Sequence, residues 1–427
     1  MSGDRRFIGL VLLWQIAASS CYYTIFAATP FFREAFSLSG VALGAIVAVL
    51  TLGYTVFLVP VGTLIDARGE RPVLLVGLAL LAVGAATVTV APAYLAVLAV
   101  VIALGAAYAS AIPGTNKAIL EGIGTAHRNF ALGIKQVGVT AGSAISAVVV
   151  TGLAGSWREG FLAIAAFAIA VDGLFFFAYR SRRPGSQAAS ERTGVETDDP
   201  ETDDRRNDTD ADRTETDDRR TEADEEGSTV ATLRRLVGYR AYRRLTAAGF
   251  FLGAALFTTV GYTVLYVAES VGTSIAFGGG VLAAVQVGGS AGRIGAGWLG
   301  DTLPGSERRA TVRVLLAQAA LGTVLLLSVT RVGSRLAALV AFLLLGVCVL
   351  GFTGIYYSCL GTLVPESRIA SATAGGQIAL NGGALFAPPT FGLLVDSAGY
   401  DAGWGLLAVC GTIATALLLA VERGTDG

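Results

Sequence analysis

The sequence predicts an all-α integral membrane protein whose twelve transmembrane helices form two pseudo-symmetric six-helix bundles. Three observations carry that expectation. Hydrophobic residues fill 53% of the 427 positions and charged residues only 15%, well below the rough quarter usual in soluble domains. Apolar runs of the roughly 20 residues needed to cross a hydrocarbon core recur along nearly the whole chain. One charged segment near the middle separates them into two sets.

Taken in order, apolar runs bounded by charges, prolines and glycine-rich breaks place helices at 7–29, 41–62, 72–91, 94–117, 131–154 and 158–180, a first bundle within 1–183. A second bundle within 231–427 has helices at 243–268, 275–300, 311–330, 335–361, 370–394 and 402–421. The first run, behind Arg5-Arg6, is long for a signal peptide and reads as the first span. Pro388-Pro389 is expected to break the eleventh helix.

The segment 184–230 reads as an acidic, disordered tether. Residues 191–226 hold 17 Asp and Glu against 6 Arg, a charge of −11, so the formal net charge of −1 leaves +10 for the rest. Glu201-Thr-Asp-Asp-Arg-Arg206 recurs as Glu215-Thr-Asp-Asp-Arg-Arg220, and such a stretch buries too little to offset its ordering entropy.

Arginine placement predicts orientation. Arg68, Arg71, His127, Arg128, Arg180, Arg182, Arg183, Arg308, Arg309, Arg313 and Arg368 fall on one side, and Arg33, Arg158, Arg331 and Arg335 on the other. The richer side is expected to be cytoplasmic, with both termini, in a multi-pass plasma-membrane protein. Of 31 basic residues only Lys117 and Lys135 are lysine, which with the Asp-rich segment suggests a salt-adapted source such as a halophilic archaeon.

Several function classes find no support. Cys21, Cys348, Cys359 and Cys410 lie inside apolar runs, so they form neither a disulfide framework nor a metal-ligand spacing. No phosphate-binding glycine loop follows a strand, and no nucleophile–base pair is visible. The expectation is no enzyme, no cofactor, no metal and no nucleic-acid partner; the partners are a small-molecule solute and the lipid bilayer, and the unit a monomer.

The most specific motif follows the second helix: Gly62-Thr-Leu-Ile-Asp66-Ala67-Arg68-Gly69-Glu70-Arg71. Gly297-Trp-Leu-Gly-Asp301 stands at the corresponding point of the second half. The pair resembles the signature that major facilitator superfamily (MFS) transporters carry between helices 2 and 3 and, more weakly, between helices 8 and 9. Ala67 and Glu70 stand where that family usually has arginine. Arg128 to Gly138, opening the fifth helix, is similar to the same point in organic-anion and monocarboxylate members. Glycine at such a place lets helices approach, and an Asp at a helix end meets arginine across the surface, a contact able to latch one conformation.

The resemblance implies secondary active transport by alternating access, as symport or antiport, with solute bound between the halves by helices 1, 2, 4, 5, 7, 8, 10 and 11. Lys135 and Arg293 lie well inside spans, where a lone cation is costly unless water, a counter-charge or a solute meets it. Around them the expected cavity lining is Gln136, Gln286, Gln377, Asn381, Gln15, Tyr22, Tyr262 and Tyr266. The small residues Gly138-Gly142-Ser146 and Gly288-Gly292-Ala296-Gly300 are expected to let helices 5 and 8 pack on one another. With two cations and no mid-membrane carboxylate beside them, the expected solute is an organic or inorganic anion. Two alternatives stay open: a proton-coupled exporter of cations or drugs using Asp172, and a non-transporting sensor with the acidic segment as its output.

Overall fold

The structure is a computed structural model that describes residues 2–123, 128–152, 156–179, 236–364 and 368–423. The segment 184–230, His127, Arg180, Arg182 and Arg183 lie outside the described residues. Twelve helices are long and apolar enough to cross a membrane: α1 (Arg5–Ala27), α2 (Gly40–Arg68), α3 (Glu70–Val88), α4 (Tyr94–Gly122), α5 (Ala131–Gly152), α6 (Trp157–Ala178), α7 (Arg240–Glu269), α8 (Ile275–Thr302), α9 (Glu307–Arg331), α10 (Arg335–Gly361), α11 (Ser371–Ala398) and α12 (Tyr400–Arg423). Among the described residues there is no strand. The protein is therefore an all-α, multi-pass membrane protein.

Local chemistry sets the helix ends. Ser39, Ser274, Ser306 and Ser334 each accept from a backbone N–H one turn on, capping α2, α8, α9 and α10. Gly69 takes φ +82° and Gly399 φ +83°, so single glycines suffice to end α2 and begin α3, and to end α11 and begin α12. Between α1 and α2 a short helix, Thr29–Phe36, is closed by Ser37 in the left-handed region at φ 51°.

α1 and α7 are the central helices, with 72% and 83% of their apolar windows buried against 33–50% for the others. α1 lies along α5, and α7 along α11 and α12. The first six spans meet the last six along two seams, α2 on α11 and α5 on α8.

Glycine stripes build the helix pairs, though not the pair that spacing suggests. Gly138 and Gly142 of α5 face α1, where an added Cβ on Gly142 would lie 2.5 Å from the Ile16 carbonyl. Gly288 and Gly292 of α8 face Leu343 and Val347 of α10. The expectation that the two stripes pack α5 on α8 is thus corrected: each serves a neighbour within its own half. A π-turn at Gly346–Leu350 interrupts α10 at that contact, and Gly346 lies against the Val285 carbonyl. Pro388 and Pro389 do not break α11, which continues through them to Ala398. Their ring-bearing backbone packs on Gly44 of α2, where any side chain would keep the helices apart.

Candidate functional site

The two ends of the molecule differ. At the end holding Ala27, Gly40, Glu269 and Ala398, here the far face, the halves are tied together. The Asp396 carboxylate accepts from the backbone N–H groups of Gly40 at 2.8 Å and Val41 at 3.1 Å. Arg33 pairs with Glu269 at 3.2 Å, and Tyr400 donates to the same carboxylate at 2.7 Å. Thr29 donates to the Gly261 carbonyl at 3.1 Å, and Gly279 of α8 lies against Thr151 and Ala147 of α5.

The opposite end, the basic face, carries the paired motifs. Gly62 and Gly297 have no neighbouring atom within 4 Å of an added Cβ, so their expected close approach is absent here. Asp66 is 75% exposed and pairs with Lys117 of α4 at 3.1 Å, not with an arginine of its own motif. Arg68 and Asp301 are exposed, without an ion-pair partner among the described residues. Arg71 donates to the Phe176 carbonyl at 2.8 Å and stacks over that ring, while Tyr179 donates to the buried Glu70 at 2.9 Å. These bonds join α3 to α6 and its end. Among the described residues, the hydrogen bonds between the first six spans and the last six all lie at the far face or in mid-span.

Mid-span, the cleft between the halves is lined from both sides. In α8, Gln286, Gly289, Ser290 and Arg293 share a face by helical spacing, and Ser290 donates across to Thr140 of α5 at 2.7 Å. Arg293 lies one turn nearer the basic face. Its Nε is buried with no hydrogen-bond partner, and no carboxylate among the described residues pairs with it. Tyr23 of α1, Tyr108 of α4 and Tyr357 of α10 lie within electrostatic reach of the guanidinium. Tyr22 stacks on Tyr108 with centroids 4.2 Å apart, and Tyr54 lies 5.8 Å from Tyr108. Tyr357 donates to Gln377, Gln377 to Asn381 at 2.8 Å, and Asn381 across the cleft to Thr55 of α2 at 3.0 Å.

The expected cavity residues therefore divide. Arg293 lies on the face of α8 that carries Ser290, and Gln377 and the fully buried Asn381 lie on the α2–α11 seam. Gln136 is exposed on the α8-facing side of α5, one turn toward the basic face from Thr140. Gln286 is 3% exposed, its Nε2 unpartnered. Gln15 is enclosed, donating to Ser19 at 3.0 Å and accepting from Thr115 at 3.3 Å. Tyr22 supports the tyrosine cluster from behind, at 2% exposure.

Two tyrosines belong elsewhere. The Tyr262 hydroxyl sits between the carbonyls of Gly40 at 2.7 Å and Pro388 at 3.0 Å, sealing the far face. Tyr266 donates to the Val329 carbonyl at 2.8 Å inside a ring cluster with Phe342, Tyr400 and Trp404. Spacing along α7 correctly makes them polar neighbours; it does not tell a sealing or packing tyrosine from a lining one.

Lys135 is also corrected in place. It has no exposed surface, lies on the α1-facing side of α5, and donates to Asn116 of α4 at 2.9 Å. The structure does not bring it onto the face that holds Arg293. Asp172 is half-buried in α6 with Oδ1 unpartnered, away from both seams. Tyr23, Thr55 and Tyr357 escape a reading by spacing, though the doublets Tyr22-Tyr23 and Tyr356-Tyr357 in apolar runs are a visible signal for them.

Comparison with known proteins agrees with this architecture. The sequence profile of the Major Facilitator Superfamily matches residues 11–374. No curated relative matches the chain. A bacterial homolog to the human lysosomal transporter Spinster, solved in an inward-facing and occupied conformation, is similar with a TM-score of 0.77 and 13% identity over 98% of this chain and 97% of that one. The D-xylose-proton symporter gives 0.72 and 15% over 96% of each chain, and a mutant of the nucleoside transporter NupG 0.71 and 13% over 98% of each.

Proposed function

From the premise that this chain belongs to the major facilitator superfamily and is a transporter rather than an enzyme, we propose that it moves a small organic or inorganic anion by alternating access. The observation that carries the reading is Arg293: a guanidinium in mid-span, beside the cleft between the halves, with no acidic partner among the described residues. An uncompensated cation there is costly unless a solute anion or water meets it. Its planar fork matches a carboxylate through two parallel bonds, and Tyr23 lies within electrostatic reach of the same guanidinium.

The conformation fits one half of such a cycle. Solute enters or leaves at the basic face while Asp396, Arg33–Glu269 and Tyr262 hold the far face shut. Closing the basic face would bring Gly62 and Gly297 toward the other half and give their lack of side chains a use. We read 1–183 and 231–427 as the two moving units, 184–230 as their tether, and the arginine-rich face as cytoplasmic in the plasma membrane, with a monomer sufficient for transport.

The test is uptake by proteoliposomes. Arg293→Gln is expected to abolish anion transport while Arg293→Lys retains part of it, because charge survives and the fork does not. Wild-type rate and affinity in Arg293→Gln would refute the anion reading. The proton-coupled exporter retains one supporting observation, the unpartnered Oδ1 of Asp172. Its test is Asp172→Asn: cation efflux that persists without dependence on a pH gradient removes it.

A further inference from the structure

At the basic face, the last turn of α12 and the first turn of α7 enclose a groove of about 440 Å³ lined by Arg244, Ala416, Leu419, Ala420 and Arg423. It shares no lining residue with the site described above, and nothing in the transport reading uses it. Among the described residues two arginines line it and no carboxylate does. Arg244 is fixed in place, donating to the Ala420 carbonyl at 2.8 Å, which occupies one of its five N–H groups. Arg423 is exposed, with no ion pair among the described residues. The adjacent Glu422 is not among the lining residues and pairs with Arg313 at 2.8 Å. Arg240 and Arg243, exposed on the same first turn of α7, add to the positive field.

What lies beneath the arginines decides the ligand. Val409, Ile413, Ala416, Ala420 and Arg423 fall on one face of α12 by helical spacing. Val409 is 56% and Ile413 37% exposed, so an apolar stripe leads from the groove into the hydrocarbon. Ala416 and Ala420 leave a shallow channel along it. A pair of cations at the water boundary above an apolar channel matches one molecule type: a phosphate head joined to an acyl chain.

We propose that this groove binds an anionic phospholipid of the leaflet at the basic face, its phosphate between Arg244 and Arg423 and one chain along Ala420, Ala416, Ile413 and Val409. A zwitterionic headgroup brings an ammonium that the two arginines repel, so phosphatidylglycerol should outcompete phosphatidylcholine. A free phosphate would gain the arginines but not the stripe, and an acidic peptide likewise.

The full chain, released from nanodiscs of mixed phosphatidylcholine and phosphatidylglycerol, is examined by native mass spectrometry. Wild type is expected to retain one phosphatidylglycerol, and Arg244→Gln/Arg423→Gln to lose that preference by roughly thirtyfold, at the usual weight of two surface cations. Arg244→Lys/Arg423→Lys should keep most of it. Arg423→Gln alone, at an exposed position, reads the same site if the double variant does not fold. A parallel melt adds a phosphatidylglycerol-containing micelle, inorganic phosphate or a peptide of residues 191–226; only the micelle is expected to raise the Tm, and to do so less in the glutamine variant. No lipid preference in wild type, retention in the glutamine variants, or equal stabilisation by phosphate or peptide would each overturn the proposal. Anion uptake plays no part in these readouts, so the groove stands or falls separately from the cleft.

Discussion

Asp396 at the end of α11 hydrogen-bonds the backbone amide of Gly40 at 2.8 Å across 356 positions of sequence. The first turn of α2, whose own cap is Ser39, thus receives a second cap from the other half of the molecule. A carboxylate at a helix N-terminus satisfies free N–H groups and the positive end of the dipole together, and it holds only while the far face is closed.

Asp396→Ala is expected to remove about 1 kcal/mol from the closed arrangement alone, shifting the balance between the two open forms roughly fivefold. Spin labels across the far face report this as a larger population of long distances. An unchanged distribution would show that the cap is incidental to closure.

Gly44 offers the complementary experiment. It lies against the Pro388 and Pro389 backbone, so Gly44→Leu cannot be accommodated without parting α2 from α11. The variant is expected to favour the form open at the far face and to make residues along that seam reactive to an impermeant thiol reagent after cysteine placement. Labelling no faster than in the glycine parent would contradict it.

The fully buried Lys135 donates to the half-buried Asn116. Asn116→Leu strands the lysine and should cost about 1–3 kcal/mol, seen as a lower melting temperature. Lys135→Met/Asn116→Leu removes both partners and should recover most of that loss. A double variant less stable than Asn116→Leu would assign the lysine a partner beyond Asn116.

Tyr266→Phe is expected to leave solute affinity unchanged and lower stability by about 1 kcal/mol, because the Val329 carbonyl loses its donor while the ring cluster persists. A weakened affinity with unchanged stability would return Tyr266 to the cleft.

The twelve spans are legible in the sequence because hydrophobicity over some twenty residues is a local property, and each expected helix coincides with an observed one within a few residues. Partnership is not local. The spacing of Gly138 and Gly142 announces a smooth face on α5 but not that α1 rests on it. Asp66 announces a charge at a helix end, while its partner Lys117 stands 51 positions on, in another helix. Asp396 lies beyond the expected end of the eleventh helix at 394, whereas the observed helix runs through Pro388-Pro389 to Ala398. Within the site, Arg293 is legible as a charge in an apolar run, but the tyrosines around it are ordinary membrane residues until the halves are placed together.

The pairing of α1 with α5 has a consequence for synthesis. The fifth span begins 104 positions after the first one ends, and ribosomes add about 5–20 residues per second, so α1 waits about 5–20 s for the helix that covers it. During that interval Gln15, Ser19 and Ser20, all fully buried in the finished protein, have no α5 to shelter them from lipid. Gln15 and Ser19 can bond each other at once and meet Tyr108 and Thr115 when α4 arrives, so the polar stripe of α1 is covered in stages, with α5 last.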